Sequence, residues 1–282
     1  MDSNDVHQGI GLSGQVAIVT GGGRGIGRAI ALALAKDGMT VAVVAQTEQQ
    51  LSETVDLIRA GGGKAVSFPI DVTDQLAVKQ MVTKVEKQLG PVDLLVNNAG
   101  IFGPDGPISE VDPDEWWRCI AVNLRGPFLC TRAVVPGMIA RHRGRVIITA
   151  SDAALGSGNN MSAYAISKAG VLRLAEALAA ECVEQGVIAF AIHPGLVLTA
   201  PFEAEAASPG DDKWFGGFFK KTIAEASHIP PERAAELSVF LASGKADALS
   251  GCYISVEDDV SEMVLAAHDI QENELHRLRL RR

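Results

Sequence analysis

The chain is poor in the features that mark several functional classes. Its four cysteines, Cys119, Cys130, Cys182 and Cys252, stand far apart without a Cys-x-x-Cys pair, and its six histidines are equally dispersed. Such spacing offers neither a disulfide framework nor a metal-ligand set, so reduced thiols, a cytoplasmic setting and no metal are expected. Basic residues are in deficit: 25 Lys and Arg face 34 Asp and Glu, for a formal charge of -9. Nucleic-acid and anionic-membrane surfaces need clustered positive charge, so neither partner is expected. Long apolar runs are missing too. The stretch from Ala29 to Ala35 is typical of the longest and falls far below the roughly 20 residues that cross a bilayer. Residues 1–8 carry Asp2 and Asp5 with no basic or apolar segment, which excludes reading them as a secretory signal.

What is present is a long alternation of short apolar runs and amphipathic segments. With 282 residues and 47% hydrophobic content the chain can bury one large α/β core. Gln15 to Thr20 is an apolar run that stops at Gly21-Gly22-Gly23-Arg24-Gly25-Ile26-Gly27, and Arg28 to Asp37 is rich in Ala and Leu. Strand, glycine turn and helix in that order let backbone N–H groups at a helix N-terminus approach a pyrophosphate with no Cβ in the way. The next strand, Thr40 to Ala45, ends at Gln46-Thr47, where a dinucleotide fold meets the adenosine ribose. An acidic residue there would bond the 2′-hydroxyl and repel a 2′-phosphate. Ala45 and Gln46 do neither, and Arg24 adds a cation, so NADP(H) is favoured and NAD(H) is left open.

Further along, Lys64 to Ile70 leads into Asp71-Val72-Thr73-Asp74, where Asp71 is placed to accept from an adenine amino group and Thr73 or Asp74 to cap the helix Gln75 to Leu89. The strand Val92 to Val96 runs into Asn97-Asn98-Ala99-Gly100, small residues that leave room for a ligand at a strand's carboxyl end. Asp112-Pro113-Asp114-Glu115 reads as a capping-box helix start. On that helix Asn123 is a polar residue among apolar neighbours, either a site residue or a core amide bonded to a backbone carbonyl.

The strand Gly144 to Ala150 delivers Ser151-Asp152, and a helix from Ser162 to Gly186 carries Tyr164 and Lys168. Residues four apart share a helix face, so a phenol and an ammonium lie side by side there. An ammonium beside a phenol lowers its pKa, and the pair suits proton transfer to a developing alkoxide. The strand Val187 to Ile192 then leads into His193-Pro194-Gly195-Leu196-Val197-Leu198-Thr199. His193, before a proline at a strand end, reads as a packing residue rather than an acid or base.

Together these motifs resemble the short-chain dehydrogenase/reductase family, over roughly Leu12 to Val256. The resemblance rests on Thr20-Gly21 with Gly25 and Gly27, on Asp71, on Asn97-Asn98-Ala99-Gly100, and on Pro194-Gly195 with Val197 and Thr199. It also rests on Asn123, Ser151, Tyr164 and Lys168, which match the family's catalytic tetrad. The resemblance implies a single doubly wound Rossmann domain with a seven-stranded parallel sheet. It further implies a nicotinamide cofactor contacted by Gly21, Arg24, Gly25, Ile26, Gly27, Ala45, Gln46, Asp71, Val72, Asn98, Ala99, Gly100, Tyr164, Lys168, Pro194, Gly195, Val197 and Thr199. The expected partners are a small carbonyl or alcohol substrate and further copies of the chain, as a tetramer or dimer packed through the helices near Asn123 and Tyr164. In this scheme Tyr164 is the acid for reduction and, as phenolate, the base for oxidation. Ser151 orients the substrate oxygen, Lys168 bonds the nicotinamide ribose, and Asn123 holds a water linking Lys168 to solvent.

The domain is expected over residues 14–259, between a polar tail of residues 1–13 and a C-terminal extension of residues 260–282 that departs from the family pattern. That extension reads either as a solvated helix or as an arm on a neighbouring subunit. Residues 200–230 are irregular and carry Trp214, Phe215, Phe218 and Phe219, suited to a flap over an apolar substrate or to a small local core. Three functions fit: an NADPH-dependent ketoreductase, an NAD-linked alcohol dehydrogenase, and a non-catalytic dinucleotide sensor. The last has no need of Ser151 and Tyr164 together.

Overall fold

The computed structural model describes residues 11–198 and 228–279. Thr199, nearly all of the expected flap with its aromatic residues, and residues 1–10 of the expected tail lie outside the described residues.

The apolar runs become seven strands: β1 (Val16–Thr20), β2 (Thr40–Ala45), β3 (Lys64–Pro69), β4 (Val92–Asn97), β5 (Gly144–Thr149), β6 (Val187–His193) and β7 (Tyr253–Ser255). All pair in parallel, in the order β3-β2-β1-β4-β5-β6-β7. All five residues of β1 are buried, as expected of a strand covered on both faces. The strand order reverses between β1 and β4. Chain segments leaving the carboxyl ends of those two strands diverge to opposite faces and open a crevice there.

Helices α1 (Gly25–Lys36) and α2 (Glu48–Ala60) cover one face, and α3 (Gln75–Leu89), α5 (Gly126–Ala140) and α6 (Ser162–Cys182) the other. In α3 the buried residues Val78, Met81, Val82 and Val85 follow the spacing of a single helical stripe. Each is worth roughly 1.5–3 kcal/mol when fully withdrawn from water. Asp74 starts this helix by accepting from Leu76 N at 2.9 Å and Ala77 N at 3.0 Å. Asp112 caps α4 (Pro113–Ile120) in the same way, accepting from Asp114 N and Glu115 N at 2.9 Å. Glu115 pairs with Arg118 one turn on, at 3.2 Å.

Between α4 and α5 the chain forms a single π-helical turn, Ala121–Arg125, which points Asn123 into the protein, 1% exposed. Helix α6 stops at Cys182, short of the expected Gly186. A 3-10 turn, Val183–Gln185, follows, and Gly186 at φ 77 turns the chain back into β6. A side chain at Gly186 would collide with His142 O, 2.2 Å from its Cβ.

Helix α7 (Pro231–Ala242) joins the first face. After β7 come α8 (Val260–Leu265) and α9 (Ala267–Glu272), whose Met263, Ala267 and Ile270 are buried in that same core. The chain then runs back along its own subunit. Tyr253 N, on β7, donates to His276 O at 2.8 Å, and Glu176 of α6 takes Leu278 N at 3.1 Å and Arg279 at 2.7 Å. Through residue 279 the extension is thus tied to the chain that carries it. It packs on its own domain.

Candidate active site

The crevice at the carboxyl ends of β1 and β4 is a cavity of about 790 Å³. It is bounded by the glycine turn at one end and by Tyr164, Lys168 and Pro194 at the other, with Ala45, Gln46, Asp71 and Val72 along one side. That volume is in the range of small-molecule and cofactor sites.

Gly21 and Gly25 hold φ values of 66 and 54, which side chains rarely adopt. Gly27 is required for a different reason: its Cβ would lie 2.2 Å from Gly21 O and 2.5 Å from Asn98 Nδ2. Only glycine lets α1 approach the strand ends this closely. Arg24 is the extended N-cap of α1, and its side chain makes no capping bond, so the first N–H groups of a 12-residue helix face the cavity without a side-chain partner. Arg28 holds the turn from behind, with Nε 3.0 Å from both Gly23 O and Thr54 Oγ1 and an ion pair to Glu53 at 2.9 Å. This lock joins residues far apart in the chain and has no local signature.

Thr20 fastens β4 to β1. Its Oγ1 accepts from Asn98 N at 3.0 Å and Ala99 N at 3.1 Å, while Asn98 Nδ2 donates to Thr20 O at 3.2 Å. Asn97 is buried and donates to Thr131 Oγ1 at 3.1 Å. Asp71 turns one carboxylate oxygen back on Thr73, accepting from its N and Oγ1 at 2.8 Å each, and its residue lines the cavity. Gly195, at φ 75, packs against Ile229, whose Cδ1 would be 2.4 Å from a Cβ there. This contact and the bond from Ile229 N to Leu196 O at 2.8 Å fix the segment after Pro194, with Val197 buried.

Asn123 spends its side chain on one loop. Its Oδ1 accepts from Ile101 N and its Nδ2 donates to Ile101 O, both at 2.8 Å, and Nδ2 also reaches Ser167 Oγ at 3.0 Å. The amide therefore pins the chain just after Gly100, at the cavity wall. Cys119 lies beneath, and burial raises its thiol pKa to about 11.

Lys168 is 4% exposed, and its Nζ donates to Thr149 O at 2.8 Å and stands 5.5 Å from the Tyr164 ring centroid. Burial lowers its pKa to about 8. Tyr164 packs on Phe102 at a centroid distance of 5.2 Å. The sequence suggests a phenol made more acidic by Lys168; instead burial outweighs the hydrogen bond from Ser151 and raises its pKa to about 12. The phenol therefore keeps its proton at neutral pH. Phe102 and Thr149 complete the wall here, and neither stood out in the sequence.

Comparisons with known proteins show the family. The family model described as short chain dehydrogenase matches residues 15–209. A short chain dehydrogenase of Pseudocercospora fijiensis is 46% identical over 204 residues, which span 71% of this chain and 63% of the relative. The 2,3-dihydro-2,3-dihydroxybenzoate dehydrogenase of Bacillus subtilis is 32% identical over 84% of this chain and 92% of its own length. Among solved structures, an NAD+-bound xylitol dehydrogenase superposes with a TM-score of 0.79 at 27% identity, covering 87% of this chain and 98% of that one. The chain belongs to the short-chain dehydrogenase/reductase family. The seven-stranded parallel sheet flanked by helices is that family's Rossmann-type fold, and a nicotinamide dinucleotide is the cofactor class it binds.

Proposed function

We propose that this protein is an NADPH-dependent ketoreductase acting on a small carbonyl compound. The observation that carries the reading is the phenol of Tyr164, which stands with Lys168 in the same cavity as the glycine turn. The reduced dinucleotide supplies a hydride to the carbonyl carbon. Ser151 orients the substrate oxygen, and as that oxygen becomes an alkoxide Tyr164 gives it a proton, forming the alcohol. Lys168, in its ammonium form, keeps positive charge beside the phenol and stabilises the phenolate left behind. The glycine turn and the first turn of α1 hold the pyrophosphate, and Asp71 and Val72 flank the adenine. Asn123 contributes through the loop it pins.

Among carbonyl and alcohol probes, NADPH oxidation with ketones or acyl thioesters is expected to exceed NAD+ reduction with secondary alcohols in kcat/KM. A preference for NAD+ and alcohols would replace this reading with the second one, an NAD-linked alcohol dehydrogenase. The names of the Bacillus relative and of the solved xylitol enzyme favour that second reading. No turnover with any probe beside tight cofactor binding would favour a sensor.

Cofactor choice rests on the end of β2. Gly23 and Ala45 are neighbours, a Gly23 Cβ falling 3.6 Å from that of Ala45, so the turn and the end of β2 form one pocket wall. Neither Ala45 nor Gln46 is acidic, and Arg24 lines the same cavity, which favours a 2′-phosphate. Ala45→Asp should lower the NADPH/NADH ratio of dissociation-based preference by about 10-fold or more. Fluorescence titration of both cofactors measures it, and an unchanged ratio would move the ribose pocket elsewhere. We place the enzyme in the cytoplasm as a homo-oligomer, dimer or tetramer. Phe128 on α5 and Ile166 on α6, 47% and 49% exposed on the single chain, support a contact there.

A further inference from the structure

Asp152, the residue after Ser151, holds contacts that the chemistry above does not use. Its Oδ1 accepts from Tyr253 Oη at 2.6 Å, and its Oδ2 lies 3.3 Å from His193 Nε2. Tyr253 is on β7 and His193 closes β6, so the ends of two strands meet one carboxylate on the loop that leaves β5. The His193 and Tyr253 rings are themselves 6.4 Å apart. Burial lowers the pKa of His193, against the opposing pull of Asp152, Glu257 and Asp258.

The same residue starts a 3-10 turn, Asp152–Ala154, and this turn fixes Ser151. Ala153 N donates to Ser151 Oγ at 3.2 Å, and Ala154 N donates to Ser151 O at 3.0 Å. Ser151 in turn acts on the Tyr164 phenol, opposing the effect of burial on its pKa. A short path of bonded groups thus runs from β7 through Asp152 and its turn to Ser151, which acts on the Tyr164 phenol. A charge-assisted bond at 2.6 Å from a group anchored in a sheet restrains a carboxylate that would otherwise swing freely, since its side chain is 63% exposed. Asp258 and Glu257 lie nearby, but Asp258 is turned onto Ser255 N at 2.7 Å. Asp152 is left as the carboxylate that ties the strand ends to the Ser151 loop.

We infer that Asp152 is a positioning residue: held by Tyr253 and His193, it sets the turn that places Ser151 against the Tyr164 phenol. This rests on Ser151 and Tyr164 being the reacting pair proposed above.

The chain has two tyrosines, so isotope labelling of the hydroxyl-bearing ring carbon gives two resonances, one each for Tyr164 and Tyr253. Tyr253→Phe removes one oxygen, assigns the spectrum and leaves Tyr164 to be read alone. In Asp152→Ala and in Tyr253→Phe the Tyr164 resonance should shift in the same direction. In Asp152→Asn, which keeps an oxygen to accept from Tyr253, it should stay near its original place. With a ketone that the unaltered protein reduces, kcat should fall about 10-fold in the first two variants, with cofactor KM unchanged. A Tyr164 resonance unmoved in both Tyr253→Phe and Asp152→Ala would overturn the inference. The resonance arm uses the protein without substrate. A failure of the ketoreductase reading would instead appear as an inactive unaltered protein whose Tyr164 resonance still responds to the two substitutions.

Discussion

Tyr164→Phe is expected to lower ketone reduction by about 1,000-fold or more while leaving cofactor dissociation constants within about 2-fold. The substitution removes one oxygen from a half-buried ring and keeps the ring's contact with Phe102 at 5.2 Å, so the cavity keeps its shape. What is lost is the proton. The pH profile of the unaltered protein carries the same signature. A phenol raised to about 12 donates below that value, so Tyr164 itself adds no falling limb to reduction between neutral pH and moderately alkaline conditions. A limb near pH 8 belongs to Lys168, whose charge is lost as pH rises through that value. Initial rates of NADPH oxidation and fluorescence titration of the cofactor check both parts. Retention of more than a tenth of the rate would put the proton donor elsewhere.

The placement of the candidate site's central residues is legible in the sequence because those parts are local. Tyr164 and Lys168 share a face by helical geometry alone, and the glycine turn lies between a readable strand and a readable helix. What the sequence conceals is mostly long-range or energetic. The Arg28 lock on Gly23 and Thr54, and the meeting of Asp152 with Tyr253, join segments whose pairing only the sheet order reveals. The role of Asn123 was open because a buried amide can serve a ligand or a loop; the π-helical turn aims it at Ile101. The acidity of Tyr164 is hidden from the sequence for a related reason. Spacing shows that Lys168 is adjacent, but only the packed structure shows that desolvation of the phenol is the larger effect. The extension after β7 read as an independent helix or arm because Met263, Ala267 and Ile270 are a thin apolar stripe whose partners lie in other parts of the chain.

Lys168→Met is expected to abolish most activity and yet make the protein more stable at pH 7. Burial shifts the ammonium from its ordinary 10.5 to about 8. At about 1.36 kcal/mol per unit, holding that charge inside costs on the order of 3 kcal/mol. The sign follows from proton binding. Between about pH 8 and 10.5 the unfolded chain keeps a proton that the folded chain has released, so stability rises with pH across that window. Below pH 8 both states are charged and the whole cost is present. Methionine of similar length removes it, but leaves Thr149 O without its donor, a loss of about 1–2 kcal/mol. The net gain at pH 7 is then about 1–2 kcal/mol, shrinking toward zero and reversing by about pH 10.5, where lysine is already neutral in the fold and still bonds Thr149. Urea unfolding midpoints of both proteins at several pH values measure the difference. A methionine variant less stable than the parent at pH 7 would mean that the ammonium is solvated or paired in a way that offsets its burial. The expected combination, higher stability with lost turnover, marks a charge kept at a folding cost for the sake of the phenol beside it.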